Sequence, residues 1–242
     1  MQNPFPVLCL LAGVSLLSWF SASGQTPPEG RSRGGRLKPG EIVTPADRGV
    51  KWQNQLQVGT PAPPFTLPLL SIEKNSSQNA KREAETTVSL DKLRAERPVV
   101  LIFGSLTCPP FRGQLENVDA LYDQFKDRAE FLFVYIREAH PDSIVSVLDE
   151  SGNETLLKIV QPKDDTTRTS TAATCQRTTD LRMPVAVDGL ENAVGQAYAG
   201  WPNRMVVVGT DGNIMMASAP SPRGTDARRL RLWLEENLPA TN

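Results

Sequence analysis

The run VVLIFG, Val99–Gly104, is followed four residues later by Cys108 and then directly by Pro109 and Pro110. A segment this apolar and β-branched fits a strand covered on both faces, as at the centre of a parallel sheet flanked by helices. Two prolines directly after the cysteine suit the first turn of a helix, where a backbone N–H has no partner to lose. The helix is written in PPFRGQLENVDALYDQF, where Phe111, Leu115, Val118, Leu121 and Phe125 recur at spacings of three and four. Strand, cysteine and helix therefore form one unit. That unit restricts the chain to an α/β fold with Cys108 at the carboxyl edge of its sheet, where reactive groups in such folds gather.

The remaining elements fit that frame. Phe65, Leu67 and Leu69 alternate as a strand does, and EFLFVYI, Glu130–Ile136, reads as a second buried strand. DDTTRTSTAATCQRTTDL allows a short helix begun by its Asp and Thr residues. MPVAVD is a strand opened by a proline, NAVGQAYAG a short helix, and RMVVVGTDGNIMMAS a hairpin with Asp211-Gly212 in its turn. TDARRLRLWLEENL closes the chain as a helix, with Thr225 as expected N-cap and Leu230, Trp233, Leu234 and Leu238 inward. A β-α-β unit followed by a hairpin and a helix is the order of the thioredoxin fold, with a mixed sheet, parallel core strands and an edge hairpin.

The first residues stand apart. FPVLCLLAGVSLLSWF is apolar, too short for a stable membrane span, and followed by SASG, so residues 1–24 read as an export signal cleaved before Gln25. The leading MQNPF lacks Lys and Arg, which leaves an uncleaved anchor as the alternative. Residues 25–57 are rich in Pro, Gly and charge, and are expected to be a flexible linker before a domain at 58–242. Ser71–Thr87 is dominated by polar residues and reads as a surface insertion. A net charge of −1 gives no reason to expect nucleic acid or an anionic membrane surface as partner.

Of three cysteines, Cys9 leaves with the signal, and an exported chain then carries Cys108 and Cys175 into oxidising surroundings. Near a helix N-terminus, Cys108 is expected to hold its thiolate below the usual ~8.5. The single histidine, His140, ends the segment after the second buried strand, on the same sheet edge as Cys108. Glu138, two residues before it, is placed to orient the imidazole or relay a proton. Ser105 and Thr107, just ahead of the cysteine, are candidates to line a substrate site. No metal-ligand pattern is present, and no cofactor beyond an external thiol reductant is expected.

RPVVLIFGSLTCPPF and FLFVYIREAH resemble the iodothyronine deiodinases, and MPVAVDGLENAVGQAYAGWPNRMVVV and DGNI follow in the same order, so that the resemblance covers most of Val58–Ala217. It implies a thioredoxin-like fold and reductive removal of iodine from an iodothyronine-like substrate, with Cys108 in the place usually held by selenocysteine. It implies that His140 is the family's histidine and that Arg204 holds the substrate's carboxylate end together with it. Pro184 matches the proline before the strand facing the nucleophile, often cis in such folds, and Cys175 is a resolving thiol or a structural one. The chain departs from the family in HPDSIVSVLDESG, where a Gly-Trp is usual, and in SAPSPRGTD, where a glycine-rich segment with aromatics is usual. Both lie near the family's substrate cleft, so the substrate does not carry over.

Two other readings stand beside this one. A peroxiredoxin-like peroxidase or thiol-disulfide reductase would use Ser105 three residues before Cys108, with Arg204 or Arg112 near the thiolate. It lacks the proline expected seven residues before the cysteine, where Leu101 stands. A non-enzymatic redoxin module would lock Cys108 to Cys175. The expected partners are a small-molecule substrate and a thiol reductant or thioredoxin-like protein, with a homodimer left open. The expected location is periplasmic or extracellular.

Overall fold

The computed structural model describes residues 37–47, 56–70, 86–219 and 224–238. The export signal, most of the expected linker and most of the expected insertion lie outside the described residues, all of which belong to one compact unit spanning Ser32–Asn242. Among them no helix is long and apolar enough to cross a membrane.

In chain order the elements are β1 (Thr66–Pro68), β2 (Thr87–Ser89), α1 (Leu90–Leu93), β3 (Val99–Gly104), α2 (Pro109–Arg112), α3 (Leu115–Phe125), β4 (Glu130–Tyr135), β5 (Ser143–Leu148), β6 (Glu154–Ile159), α4 (Asp165–Thr179), β7 (Val185–Val187), α5 (Ala193–Ala197), β8 (Arg204–Val208), β9 (Ile214–Ala217) and α6 (Ala227–Asn237). A five-stranded sheet runs β7-β4-β3-β8-β9. β3, β4 and β7 are parallel, while β8 and β9 are antiparallel to their neighbours. The expected thioredoxin-like order is therefore present.

Every residue of β3 is buried, as its unbroken apolar run requires. Alternation sends Val100 and Ile102 to one face, with Phe111, Leu115, Val118, Leu121, Cys175, Leu230 and Leu234. Val99, Leu101 and Phe103 go to the other, with Phe65, Leu67, Val88 and Tyr198. Gly104 ends the strand where the ring of Phe111 lies so close that an added Cβ would come within 2.4 Å of it. That ring also stacks on Phe133, centroids 4.9 Å apart. The position three residues after Cys108 is thus filled by core, and a second thiol has to come from another element.

Several expectations need correcting. The helix after Cys108 is two helices: α2 is one turn long and ends at Gly113 before α3 begins. β5 and β6 form a separate antiparallel ribbon that leaves no pattern in the sequence, because β6 is exposed along most of its length and shows no alternation. The N-cap of α6 is Asp226, which accepts from Arg229 N, and not Thr225. Pro184 precedes β7, an edge strand two places from β3. Pro202 is the proline just before β8, the antiparallel neighbour of β3, and the cis peptide bond among the described residues is Trp201–Pro202. Residues 37–47, expected as part of a flexible linker, run as a strap along β5: Ile42 exchanges backbone hydrogen bonds with Ile144 at 2.9 and 2.8 Å.

Candidate functional site

Cys108 is the N-cap residue of α2, directly beyond the carboxyl end of β3, and is only 1% exposed. Its Sγ accepts a hydrogen bond from Asn203 Nδ2 at 3.2 Å. The Asn203 amide is held in that sense by Thr225, whose N–H and Oγ donate to Oδ1 at 2.6 and 3.1 Å. With Oδ1 occupied by two donors, the NH₂ group faces the sulfur. Gly224 makes this possible, because a Cβ there would fall 2.0 Å from the Asn203 carbonyl oxygen.

The expected acidic thiol is not what this setting produces. Burial pushes the Cys108 thiol up to about 11, and the Phe111 N–H, the Asn203 amide and the Arg112 charge draw it down by less than burial raises it. The reason is physical: a one-turn helix has little dipole to offer, and the sulfur lies out of water. Cys175, on α4, is fully buried in the same cluster as Cys108, and burial raises its thiol too. Both thiols are free, and Glu138 and Arg112 exert charge effects on each of them.

Glu138 is fully buried and ties the cysteine loop to the histidine segment. Its Oε2 accepts from Thr107 N at 2.9 Å and from Thr107 Oγ1 at 2.6 Å, while its Oε1 accepts from Tyr135 Oη. Thr107 Oγ1 in turn accepts from His140 N at 3.0 Å. Burial raises the Glu138 carboxyl against these lowering contacts. Glu138 therefore acts on the backbone of His140 through Thr107 and not on its imidazole directly. The ring is held instead by the strap, with Nδ1 2.7 Å from Thr44 O. Ser105 Oγ accepts from Ala139 N at 3.1 Å and its carbonyl accepts from Cys108 N at 3.2 Å, so it fastens the same two segments together.

Arg204 and Pro184 are not brought to the thiol. Arg204 faces its cross-strand partner Phe103, which belongs to the opposite face of the sheet from Cys108. Its guanidinium is buried, lowered to about 10 by that burial, and donates to Ser218 O at 2.9 Å and Tyr198 O at 2.8 Å. In this arrangement it is not an open clamp for a carboxylate. Sequence reading missed Asn203, one residue ahead of β8, whose side chain turns to the sulfur. It also missed Arg168, a fully buried arginine on α4 whose Nη1 donates to Asn192 Oδ1 at 3.0 Å and whose charge acts on Tyr135 and Glu138. Nothing in its threonine-rich surroundings suggested burial.

Alkylation of Cys108 should therefore rise about tenfold per pH unit through neutrality, toward a midpoint near 11. The unfolded thiol ionises at lower pH than the folded one, so this group's contribution to stability is complete below about pH 8.5 and is lost as pH climbs toward the folded value. Asn203→Asp keeps an acceptor for Thr225 but sets a carboxylate beside the sulfur. It should slow alkylation at pH 8 by about tenfold or more relative to wild type. Stopped-flow alkylation against pH checks both, and equal rates in the variant would show that the amide does not act on the sulfur.

Residues 48–238 match the family model described as iodothyronine deiodinase. Curated relatives include Thyroxine 5-deiodinase of Gallus gallus, 36% identical over 148 residues, which are 61% of this chain and 54% of the relative. The Type II iodothyronine deiodinase of Sus scrofa is 30% identical over 194 residues, 76% of this chain and 70% of the relative. The chain thus spans about half the length of the first of these relatives and 70% of the second. Among solved structures, a thiol:disulfide interchange protein from Bacteroides sp. superposes with a TM-score of 0.51 at 14% identity, covering 77% of this chain and 93% of the other. The crystal structure of a putative thiol:disulfide interchange protein DsbE from Chlorobium tepidum gives 0.50 at 17% identity, covering 75% of this chain and 98% of the other. Both likenesses concern the fold alone.

Proposed function

The chain belongs to the iodothyronine deiodinase family, and from that premise we propose that it is a thiol oxidoreductase that removes iodine reductively from iodothyronine-like aromatic compounds. The observation that supports this most is the placement of Cys108 at the sheet's carboxyl edge, with Asn203 on its sulfur and Thr107 bonded to the backbone of His140. In the proposed reaction the Cys108 thiolate attacks iodine, an S–I bond forms as C–I breaks, and the ring carbon takes the bonding pair together with a proton from His140. The ring is reduced and the sulfur oxidised to a sulfenyl iodide. A second thiol, Cys175 or an external one, then displaces iodide and leaves a disulfide, which an external dithiol reduces. Each turnover oxidises the thiols to a disulfide, so the cycle requires that reductant.

A thiol-disulfide reductase or peroxidase is the second reading, favoured by one feature: Cys108 and Cys175 share a single buried cluster and the same charged neighbours. Iodide release from an iodothyronine and consumption of hydrogen peroxide, measured side by side with excess dithiol, separate the two. Dithiol-dependent iodide release that climbs between pH 7 and 9 supports the deiodinase reading. Peroxide consumption with no iodide release would replace it with the peroxidase.

A further inference from the structure

The strap of residues 37–47 lies ahead of the family-matched residues 48–238, yet it reaches both sides of the site. Thr44 gives its carbonyl to His140 Nδ1 at 2.7 Å. Thr44 is itself fixed: its N–H donates to Ser143 Oγ at 3.1 Å and its Oγ1 to Pro141 O at 2.7 Å. Two residues earlier Ile42 pairs with Ile144, and three residues later Asp47 N donates to Ala139 O at 3.0 Å. Asp47 also pairs with Arg137. The strap therefore grips the Arg137–Ile144 segment on either side of the imidazole. At its other end Glu41, its side chain 1% exposed, takes Arg112 of α2 at 2.8 and 3.4 Å and also accepts from Ser146 N. Arg112 lies four residues beyond Cys108 and draws its thiol downward.

A carbonyl oxygen accepts and never donates, so Nδ1 must carry the proton in this contact. That leaves Nε2 as the nitrogen that exchanges protons, in the neutral ring and in the imidazolium alike. We propose that the strap is a positioning element of the active site, with the Thr44 carbonyl selecting the Nδ1–H tautomer of His140 and fixing the ring so that Nε2 is its working nitrogen. The role of that nitrogen as proton donor rests on the deiodinase reading, whereas the tautomer itself does not.

The chain has one histidine, so its ring nitrogens give the sole imidazole signals in a ¹⁵N spectrum of the full-length protein. Ile42 is 57% exposed and its N–H donates to Ile144, so Ile42→Pro removes a strap bond without opening the core. Ile42→Thr keeps that bond and serves as the conservative control. In wild type, at a pH where the ring is neutral, Nδ1 should show the shift of a protonated nitrogen and Nε2 that of an unprotonated one. In Ile42→Pro both should move toward averaged values, and turnover should fall about tenfold or more. Ile42→Thr should match wild type. Should Ile42→Pro not fold, Thr44→Val, which loses the Oγ1 anchor to Pro141 and keeps the carbonyl, should give a smaller shift of the same sign. An Nε2–H tautomer in wild type would overturn the inference. So would an unchanged spectrum in Ile42→Pro once hydrogen exchange shows the strap amides released. If the tautomer shifts as expected but no variant, wild type included, releases iodide or consumes peroxide, the positioning role stands and the proposed reaction fails.

Discussion

Replacing Glu138 by Ala should cost about 3–5 kcal/mol of stability and abolish measurable turnover. Three donors converge on this fully buried carboxylate: the Thr107 N–H, the Thr107 hydroxyl and the Tyr135 hydroxyl. Alanine leaves all three out of water with no acceptor, and an orphaned buried donor costs about 1–3 kcal/mol. It also removes the nearby negative charge that acts on buried Arg168. The loss is a large part of what a domain of this kind has, because native stabilities are typically about 5–15 kcal/mol. The functional loss has a separate cause. Thr107 adjoins Cys108 and accepts from the His140 N–H, so freeing Thr107 uncouples the thiol loop from the histidine loop. Glu138→Gln keeps an acceptor for Thr107 and should cost only about 1–2 kcal/mol. Denaturant unfolding of both variants checks the difference. Equal small losses would mean that water replaces the carboxylate and the site is less closed than its burial indicates.

Cys108→Ser should lower turnover by about a thousandfold or more while leaving the fold intact, since serine is close in size and its oxygen can still accept from Asn203. A hydroxyl ionises far above a thiol, and out of water it has even less access to the anion. Cys175→Ser should behave differently. With saturating dithiol, turnover should stay within a fewfold of wild type, because an external thiol can displace iodide. Without dithiol, a single turnover should end in a disulfide between Cys108 and Cys175 in wild type and in none within the chain in the variant. Peptide mapping after one equivalent of substrate reads this directly. If wild type gives only disulfides between chains, Cys175 is a core residue and recycling is external.

The reach of local sequence is visible in β3. Its unbroken apolar run called for a doubly covered strand, and the 3-4 spacing after it called for helix packed on one face. Both are properties of backbone period and side-chain direction, which a short segment carries within itself. The order of elements followed, and with it the carboxyl edge where Cys108 and the Glu138–His140 segment meet. The motifs around them also identified the family. β5 and β6 escaped because an exposed ribbon imposes no alternation, and the strap escaped because its contacts lie some hundred residues away in sequence, as with Thr44 and Ser143.

What the thiol is like chemically was decided elsewhere. The residue order around Cys108 speaks for a helix N-terminus and a lowered thiol, and that tendency is real but small, because α2 stops after one turn. Desolvation outweighs it, and desolvation depends on everything that covers the sulfur: Asn203 held by Thr225, and the core cluster shared with α4 and α6. The same holds for Arg204, whose sequence match says nothing about the face of β8 it occupies, and for Asn203, just ahead of β8, whose amide Thr225 turns toward the sulfur. Local residue pattern fixes where the cysteine sits along the chain and which elements flank it. How dry it is, which amide touches it and which ring nitrogen faces the strap follow from the packing of distant segments, because solvation and contact are sums over the whole neighbourhood, and period and propensity end with the segment.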